Sequence, residues 1–342
     1  MARITEQSVH HIGAYVAWRR TLQQFPGKIM NMPSRNRTFL ILLGWVGLIA
    51  SGWTSLIPES IITVLTTAFL YGSLATAWNI HALSGVMSLG HAAFFGLGAY
   101  GFAITVSRSA FSPWTGILIG AFLAVFYALL WTVSIDRLRH GSFVLASFVS
   151  VEIPRVIIEN LDSITNGSAG ITNLKLLNFP YPLPSGSRGL YVIMIMLAGL
   201  LVFIHHKAIV SRLGWGLRAM RDDERAALAI GVPADFLRRS ALIISAFFTG
   251  MCGAFYAAII GFVEPSVVFS LHYSAIPLVF AFFGGREKTW GPLVGAILLY
   301  GLDQVVMVPA FPEAHRAIYG IAIFFTLWFL PRGILSAWRR RS

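Results

Sequence analysis

The residues best suited to chemistry in this sequence lie in Asn79-Ile80-His81-Ala82-Leu83-Ser84-Gly85-Val86-Met87-Ser88-Leu89-Gly90-His91, where an amide, two imidazoles and small hydroxyl residues interrupt apolar surroundings. Polar side chains and glycines inside an apolar run permit two arrangements. The glycines, with Gly96, Gly98 and Gly101 after them, bring helices into close packing, or they break a helix and expose backbone N–H and C=O groups at membrane depth. A broken helix is tolerable only where protein or a polar cavity satisfies those groups, so Asn79, Ser88, Gly90 and His91 are candidates to line a solute path. The alternative is a packed helix whose His91 hydrogen-bonds a neighbouring carbonyl.

Two further groups carry charge. Glu152, Arg155 and Glu159 share one helical face at spacings of three and four, where opposite charges pair, with Pro154 expected to kink the backbone between them. A charge at mid-bilayer costs roughly 2.5–3.5 kcal/mol, so this trio belongs at the outer interface or against the bundle. The stretch Leu213 to Gly231, LGWGLRAMRDDERAALAIG, mixes helix formers with charges and ends on a glycine closely followed by Pro233. It reads as one helix too polar to span, either a solvated connection or a rigid element offering Arg221, Asp222, Asp223, Glu224 and Arg225 to a partner.

The elements that must position these residues follow from composition. Of 342 residues, 56% are hydrophobic and 12% charged, and the mean hydropathy is +0.71. Soluble domains carry roughly one-quarter charged residues, so lipid is the expected solvent. Apolar runs long enough to cross the bilayer recur at about 39–57, 60–80, 85–106, 114–134, 142–159, 189–206, 240–261, 272–284, 292–307 and 317–330. The expected fold is therefore all-α and integral to the membrane, a bundle of about ten transmembrane helices.

Most of the 26 basic residues fall before Phe39, in alternate connections, and from Arg332 onward, the exceptions being Arg108, Arg155, Lys175, Arg188 and Arg316. Cytoplasmic connections are enriched in Lys and Arg, which places both termini inside. The organisation expected is a basic cytoplasmic extension at 1–38, a transmembrane domain at 39–333 with an inner segment at 207–239, and a basic cytoplasmic tail at 334–342. Residues 9–22 read either as a helix lying on the membrane surface or as an irregular tail. The connection from Asn160 to Arg188, rich in Gly, Pro, Ser and Asn, reads as an irregular outer loop.

Several chemistries are excluded. The net charge of +12 is dispersed in short blocks between apolar runs rather than gathered on a nucleic-acid-binding face. Gly96-x-Gly98-x-x-Gly101 lacks the strand and soluble βαβ unit of a dinucleotide site, and Gly284-Gly285-Arg286-Glu287-Lys288-Thr289 lacks the glycine before the lysine of a phosphate loop. No metal-ligand spacing, cofactor motif or catalytic constellation emerges, so no enzymatic activity is expected. Cys252 is the single cysteine and reads as core packing. Asp303, following an apolar run, is expected near the outer surface.

Several segments together resemble the LivM-type permeases, membrane subunits of branched-chain amino acid ABC importers. They are Ser88-Leu89-Gly90-His91-Ala92-Ala93-Phe94-Phe95-Gly96 with Gly98-Ala99-Tyr100; Gly167 to Ile171 after Thr165; and Leu217-Arg218-Ala219 leading to Ala226-Ala227 and Gly231. Gly284-Gly285, Trp290-Gly291-Pro292 with Gly295, and Pro331-Arg332-Gly333 follow in the family's order, so the resemblance covers roughly Thr63 to Gly333. It implies a multi-pass bacterial inner-membrane subunit, in contact with lipid, that pairs with a second, LivH-type permease. Two cytoplasmic ATPases would supply the energy and a periplasmic binding protein the solute. Asp222 to Gly231, including Ala227, would be the coupling element that passes ATP-driven motion to the bundle. Where the family often has Gly-Gln before Ser-Leu-Gly-His, this chain has Val86-Met87, a departure that bears on the exact substrate; relatives of the same architecture import urea or short amides, which are the alternative cargo. A stand-alone channel or carrier is the reading outside this class.

Overall fold

The computed structural model describes residues 44–45, 47–54, 57–108, 111–135, 140–174, 184, 186–313, 320 and 333–335. The expected extension at 1–38, with its surface helix at 9–22, lies outside these, as do nearly all of the expected tail and of the span at 317–330. Among the described residues the architecture is all-helical, with one isolated antiparallel bridge, Ile171 to Val263.

The elements are α1 (Glu59–Ala82), α2 (His91–Arg108), α3 (Pro113–Ile135), α4 (His140–Val149), α5 (Glu152–Glu159), α6 (Asp162–Thr165), α7 (Ser187–Val210), α8 (Arg212–Asp222), α9 (Glu224–Ala229), α10 (Ala234–Ile260), α11 (Pro265–Val268), α12 (His272–Gly284) and α13 (Gly291–Leu302). Among the described residues six stretches are long and apolar enough to cross a membrane: Glu59–Ala82, Pro113–Thr132, Ser187–Val210, Ala234–Ile260, Pro265–Gly284 and Gly291–Ala310.

Two expected spans differ in the structure, and each difference has a local cause. The run at 85–106 becomes helical only at His91, because Gly85 is left-handed (φ 85°) and 85–90 is irregular. The run at 142–159 is divided at Ser150–Val151 into α4 and α5. Pro154 has no N–H for the Ser150 carbonyl one turn back, and the Tyr127 hydroxyl donates to that oxygen instead at 2.5 Å. The break therefore precedes the Glu152, Arg155 and Glu159 trio rather than dividing it. Arg155 pairs with Glu159 at 2.9 Å and Glu152 at 3.4 Å, all three partly exposed, so the expected pairing on one helical face is present.

Helix α1 is buried on every side from Ala68 to Ala82, so it is a core helix rather than an amphipathic one. It packs against α7, α10, α12 and α13, while α2 packs against α3 and α10. Glycines let the second group approach backbone to backbone. A Cβ on Gly98 would lie 2.0 Å from the Gly250 carbonyl oxygen of α10, and one on Gly101 2.6 Å from Gly120 Cα of α3. Cys252 is fully buried in the same core.

The bundle has two chemically distinct ends. The ends of α1, α7 and α12 and the starts of α10 and α13 meet at one, through Leu83, Ile209, Leu217 and Leu237 and through a hydrogen bond from Asn79 to the 285–290 turn. That end carries Lys207, Arg212, Arg218, Arg221, Arg225, Arg238, Arg239, Arg286 and Lys288. The other holds the Glu59–Arg188 pair, at 2.7 Å, and the irregular segment after Asn160, whose residues Asn166, Gly167, Gly170 and Asn173 are left-handed.

Candidate solute path and coupling surface

Of the sequence candidates, Asn79 lies on the last turn of α1, Ser88 and Gly90 in the break between α1 and α2, and His91 at the start of α2, and all are buried. Side chains from several helices satisfy the backbone of the break. Leu89 N donates to Ser147 Oγ at 3.0 Å, Gly90 N to Ser88 Oγ at 3.2 Å and Ala92 N to Ser274 Oγ at 2.9 Å, while Ser88 O accepts from Trp78 Nε1 at 2.9 Å. An irregular segment enclosed in this way meets the requirement that buried backbone be paired. A Cβ on Gly90 would lie 2.7 Å from the Ser147 carbonyl oxygen, so this turn is seated directly on α4.

Asn79 and His91 face different neighbours. Asn79 Nδ2 donates to the Arg286 carbonyl at 2.7 Å and lies 2.9 Å from His205 Nε2. His205 Nδ1 lies 3.1 Å from the Thr289 carbonyl, which can only accept. The proton therefore sits on Nδ1, and Nε2 accepts from Asn79. Arg286 in turn donates to the Ala82 carbonyl at 2.6 Å, a cation at the negative end of α1. Burial, and then the neighbouring Arg221, hold the Arg286 guanidinium below its ordinary pKa, with Glu287 acting the other way. His91, by contrast, bonds Ser245 Oγ of α10 at 2.8 Å through Nε2, and its ring centroid lies 6.0 Å from that of His81.

The expected single helix over Leu213 to Gly231 is two. Ser211 caps α8, accepting from Gly214 N at 3.5 Å, and Asp223 is extended (φ −155°, ψ 107°) and caps α9 by accepting from Ala226 N at 3.0 Å. An aspartate that can bond the backbone two or three residues on favours this cap over a continued helix. Helix α9 ends in a Schellman turn: Gly231 is left-handed, its N–H donates to Leu228 O at 3.0 Å, and Val232 N donates to Ala227 O at 3.0 Å. Ala227 and Val232 close that turn inside the apolar cluster around Leu217 and Met220.

The charges that sequence offered to a partner are divided by this geometry. Asp222, Asp223 and Arg225 are exposed. Arg221 turns back, bonding Glu287 at 2.9 Å and Asp222 at 3.1 Å, and its stem packs on Gly85, where an added Cβ would lie 2.7 Å from Arg221 Cγ. Glu224 is also committed, accepting from Arg238 of α10 at 2.7 Å. Beside these charges the pair α8–α9 also shows apolar side chains to solvent: Trp215, Leu228 and Ile230, the last 69% exposed, with Phe236 at the start of α10.

Sequence reasoning missed Arg238, Glu287, Arg286 and His205 as members of this assembly. Charged residues bordering apolar spans, and paired histidines ending one, were the available signal, but their partners are 14 to 207 positions away. Among the described residues no group of His, Cys, Asp or Glu could hold a metal ion.

Residues 60–327 match the family described as branched-chain amino acid transport system / permease component. The chain is 24% identical to the high-affinity branched-chain amino acid transport system permease protein LivM of Escherichia coli (strain K12), over 94% of this chain and 82% of that protein. It is likewise 24% identical to LivM of Salmonella typhimurium, over 85% of this chain and 73% of that one. Similarity extends to the permease LivH of Salmonella typhimurium, 21% identical over 80% of this chain and 93% of the relative. No solved structure matches.

Proposed function

The chain belongs to the branched-chain amino acid transport permease family, a multi-pass inner-membrane protein and a permease subunit, and from this premise we propose that it carries leucine, isoleucine and valine inward. It pairs with a LivH-type permease, two ATPases dock on the cytoplasmic side of that pair, where this chain's basic end lies, and a solute-binding protein delivers cargo to the opposite end. The chain crosses the bilayer about ten times with both termini inside, the basic end being cytoplasmic under the rule that Lys and Arg are retained there.

The observation that carries the mechanism is the seat of Arg221 on Gly85. Helices α8 and α9 hold an apolar knob, Leu228 and Ile230, toward solvent and touch the break between α1 and α2 on their inner side. A partner that moves this pair displaces three things at once: the break through Arg221, the 285–290 turn through Glu287, and α10 through Glu224 and Arg238. Each tie is short and directional, and packed elements of this kind shift between discrete arrangements rather than bending continuously. Closure of the ATPases on ATP then parts the helices around Asn79, Ser88, Gly90 and His91, opening a route for the solute.

Uptake of labelled leucine, isoleucine, valine and urea by cells lacking their own systems, with the assembled importer supplied, tests the reading. Leucine, isoleucine and valine should enter and compete with one another while urea does not. If none of the three competes, the proposed cargo is wrong.

A further inference from the structure

The seam where α1, α2 and α10 meet contains more unpaired polarity than a dry core tolerates. His81, His91, Ser245 and Thr249 are all fully buried there. His91 and Ser245 bond each other, the two imidazoles lie with centroids 6.0 Å apart, and Thr249 sits one turn beyond Ser245 on the same face of α10. Four atoms are left without any hydrogen-bond partner: both ring nitrogens of His81, Nδ1 of His91 and Oγ1 of Thr249. Each costs about as much as a lost hydrogen bond, and four in one seam rival the net stability of a whole domain. Evolution of a packing interface removes such groups; a site that is filled in another state keeps them.

We propose that this seam holds the charged head group of the solute in transit, its α-ammonium and α-carboxylate, when the helices part. The inference rests on the transport reading above and assigns a place to the head group of its zwitterionic cargo. Neutral imidazoles and hydroxyls each offer one donor and at least one acceptor, so the seam serves an ammonium and a carboxylate together. It adds no formal charge of its own, which matches a ligand of zero net charge. The start of α2, at His91, supplies favourable potential on the carboxylate side. Trp78, 6.3 Å from His91, and Phe143, 5.9 Å from His81, present apolar faces beside the polar groups, where a branched alkyl chain would rest. Two imidazoles alone are too few for a metal.

The test uses the assembled importer in membranes. Leucine uptake by the wild type is measured first, and its absence refutes the transport reading without reference to the seam. Thr249→Val keeps the shape of the side chain and removes the hydroxyl, so a packing role predicts unchanged uptake, whereas loss of a bond to a charged head group predicts a fall of about tenfold at equal membrane abundance. In parallel, Thr249→Cys is made with Cys252→Ser and exposed to a cationic methanethiosulfonate of amino-acid size. Labelling should occur during turnover and be slowed by excess leucine. The proposal stands only if uptake falls and labelling occurs; unchanged uptake in Thr249→Val overturns it, as does reduced uptake with the cysteine unlabelled in every state.

Discussion

Removing the carboxylate of Glu224 should destabilise the whole chain, because Arg238 would be left charged in a buried position. The Arg238 side chain is 9% exposed and Glu224 32%; Arg238 Nη2 donates to Glu224 Oε1 at 2.7 Å, and Arg238 Nε has no partner. Deleting one member of a fully buried pair costs about 3–5 kcal/mol, and the access of water to Glu224 lowers the expectation to about 2–3 kcal/mol. At roughly 2 °C per kcal/mol for a chain of this size, Glu224→Ala should lower the unfolding midpoint of the purified protein in detergent by about 5 °C. Glu224→Met with Arg238→Met removes both charges and should recover most of that loss, since apolar replacement of such pairs is close to neutral. Intrinsic-fluorescence melts of wild type, single and double variants make the comparison. A single variant that melts with the wild type, or a double variant no better than the single, refutes the view that Glu224 is committed inward. The same geometry means that reversing charge at Glu224 acts on the fold before it acts on any docking partner.

Exchanging Arg221→Glu and Glu287→Arg tests the tie to the 285–290 turn. Each single change should cost at most about 1 kcal/mol of stability yet lower leucine uptake per ATP hydrolysed, and the double exchange should restore it; equal coupling in all three contradicts the tie. Gly85→Ala places a side chain in a left-handed conformation, at about 1–2 kcal/mol, and against Arg221, so both melting midpoint and uptake should fall. Gly98→Ala drives a methyl into the Gly250 carbonyl and should cost about 1–3 kcal/mol in the same melts. Ile230→Asp, on an exposed position, should leave the midpoint unchanged while reducing the ATPase that copurifies with the chain; undiminished copurification argues against α9 as the docking knob.

The membrane-crossing helices were largely legible because lipid leaves so little choice: long apolar runs such as those ending in α1, α7 and α10 have one outcome. The breaks were less so. Gly85 and Pro154 were visible as residues, but whether a glycine packs or interrupts depends on what lies across from it, here Arg221, and a proline's effect depends on whether a group such as Tyr127 satisfies the freed carbonyl. Asp223 could be read as a helix surface charge or as a cap, and only backbone geometry separates the two. Asn79 and His91, grouped in sequence, point to different neighbours because α1 ends between them. Long-range pairs such as Glu224 with Arg238 and Arg221 with Glu287 leave no local pattern, since an ion pair demands proximity and no particular spacing.

The sidedness of α8–α9 is the most direct test of the account. A cysteine introduced at Leu228, 53% exposed on α9, with Cys252 replaced by serine, is treated with a membrane-impermeant thiol reagent in intact cells and again after the membrane is opened. Modification only in opened membranes, reduced when the ATPase partners are bound, is the predicted result. Labelling in intact cells would put the basic end outside and contradict the account.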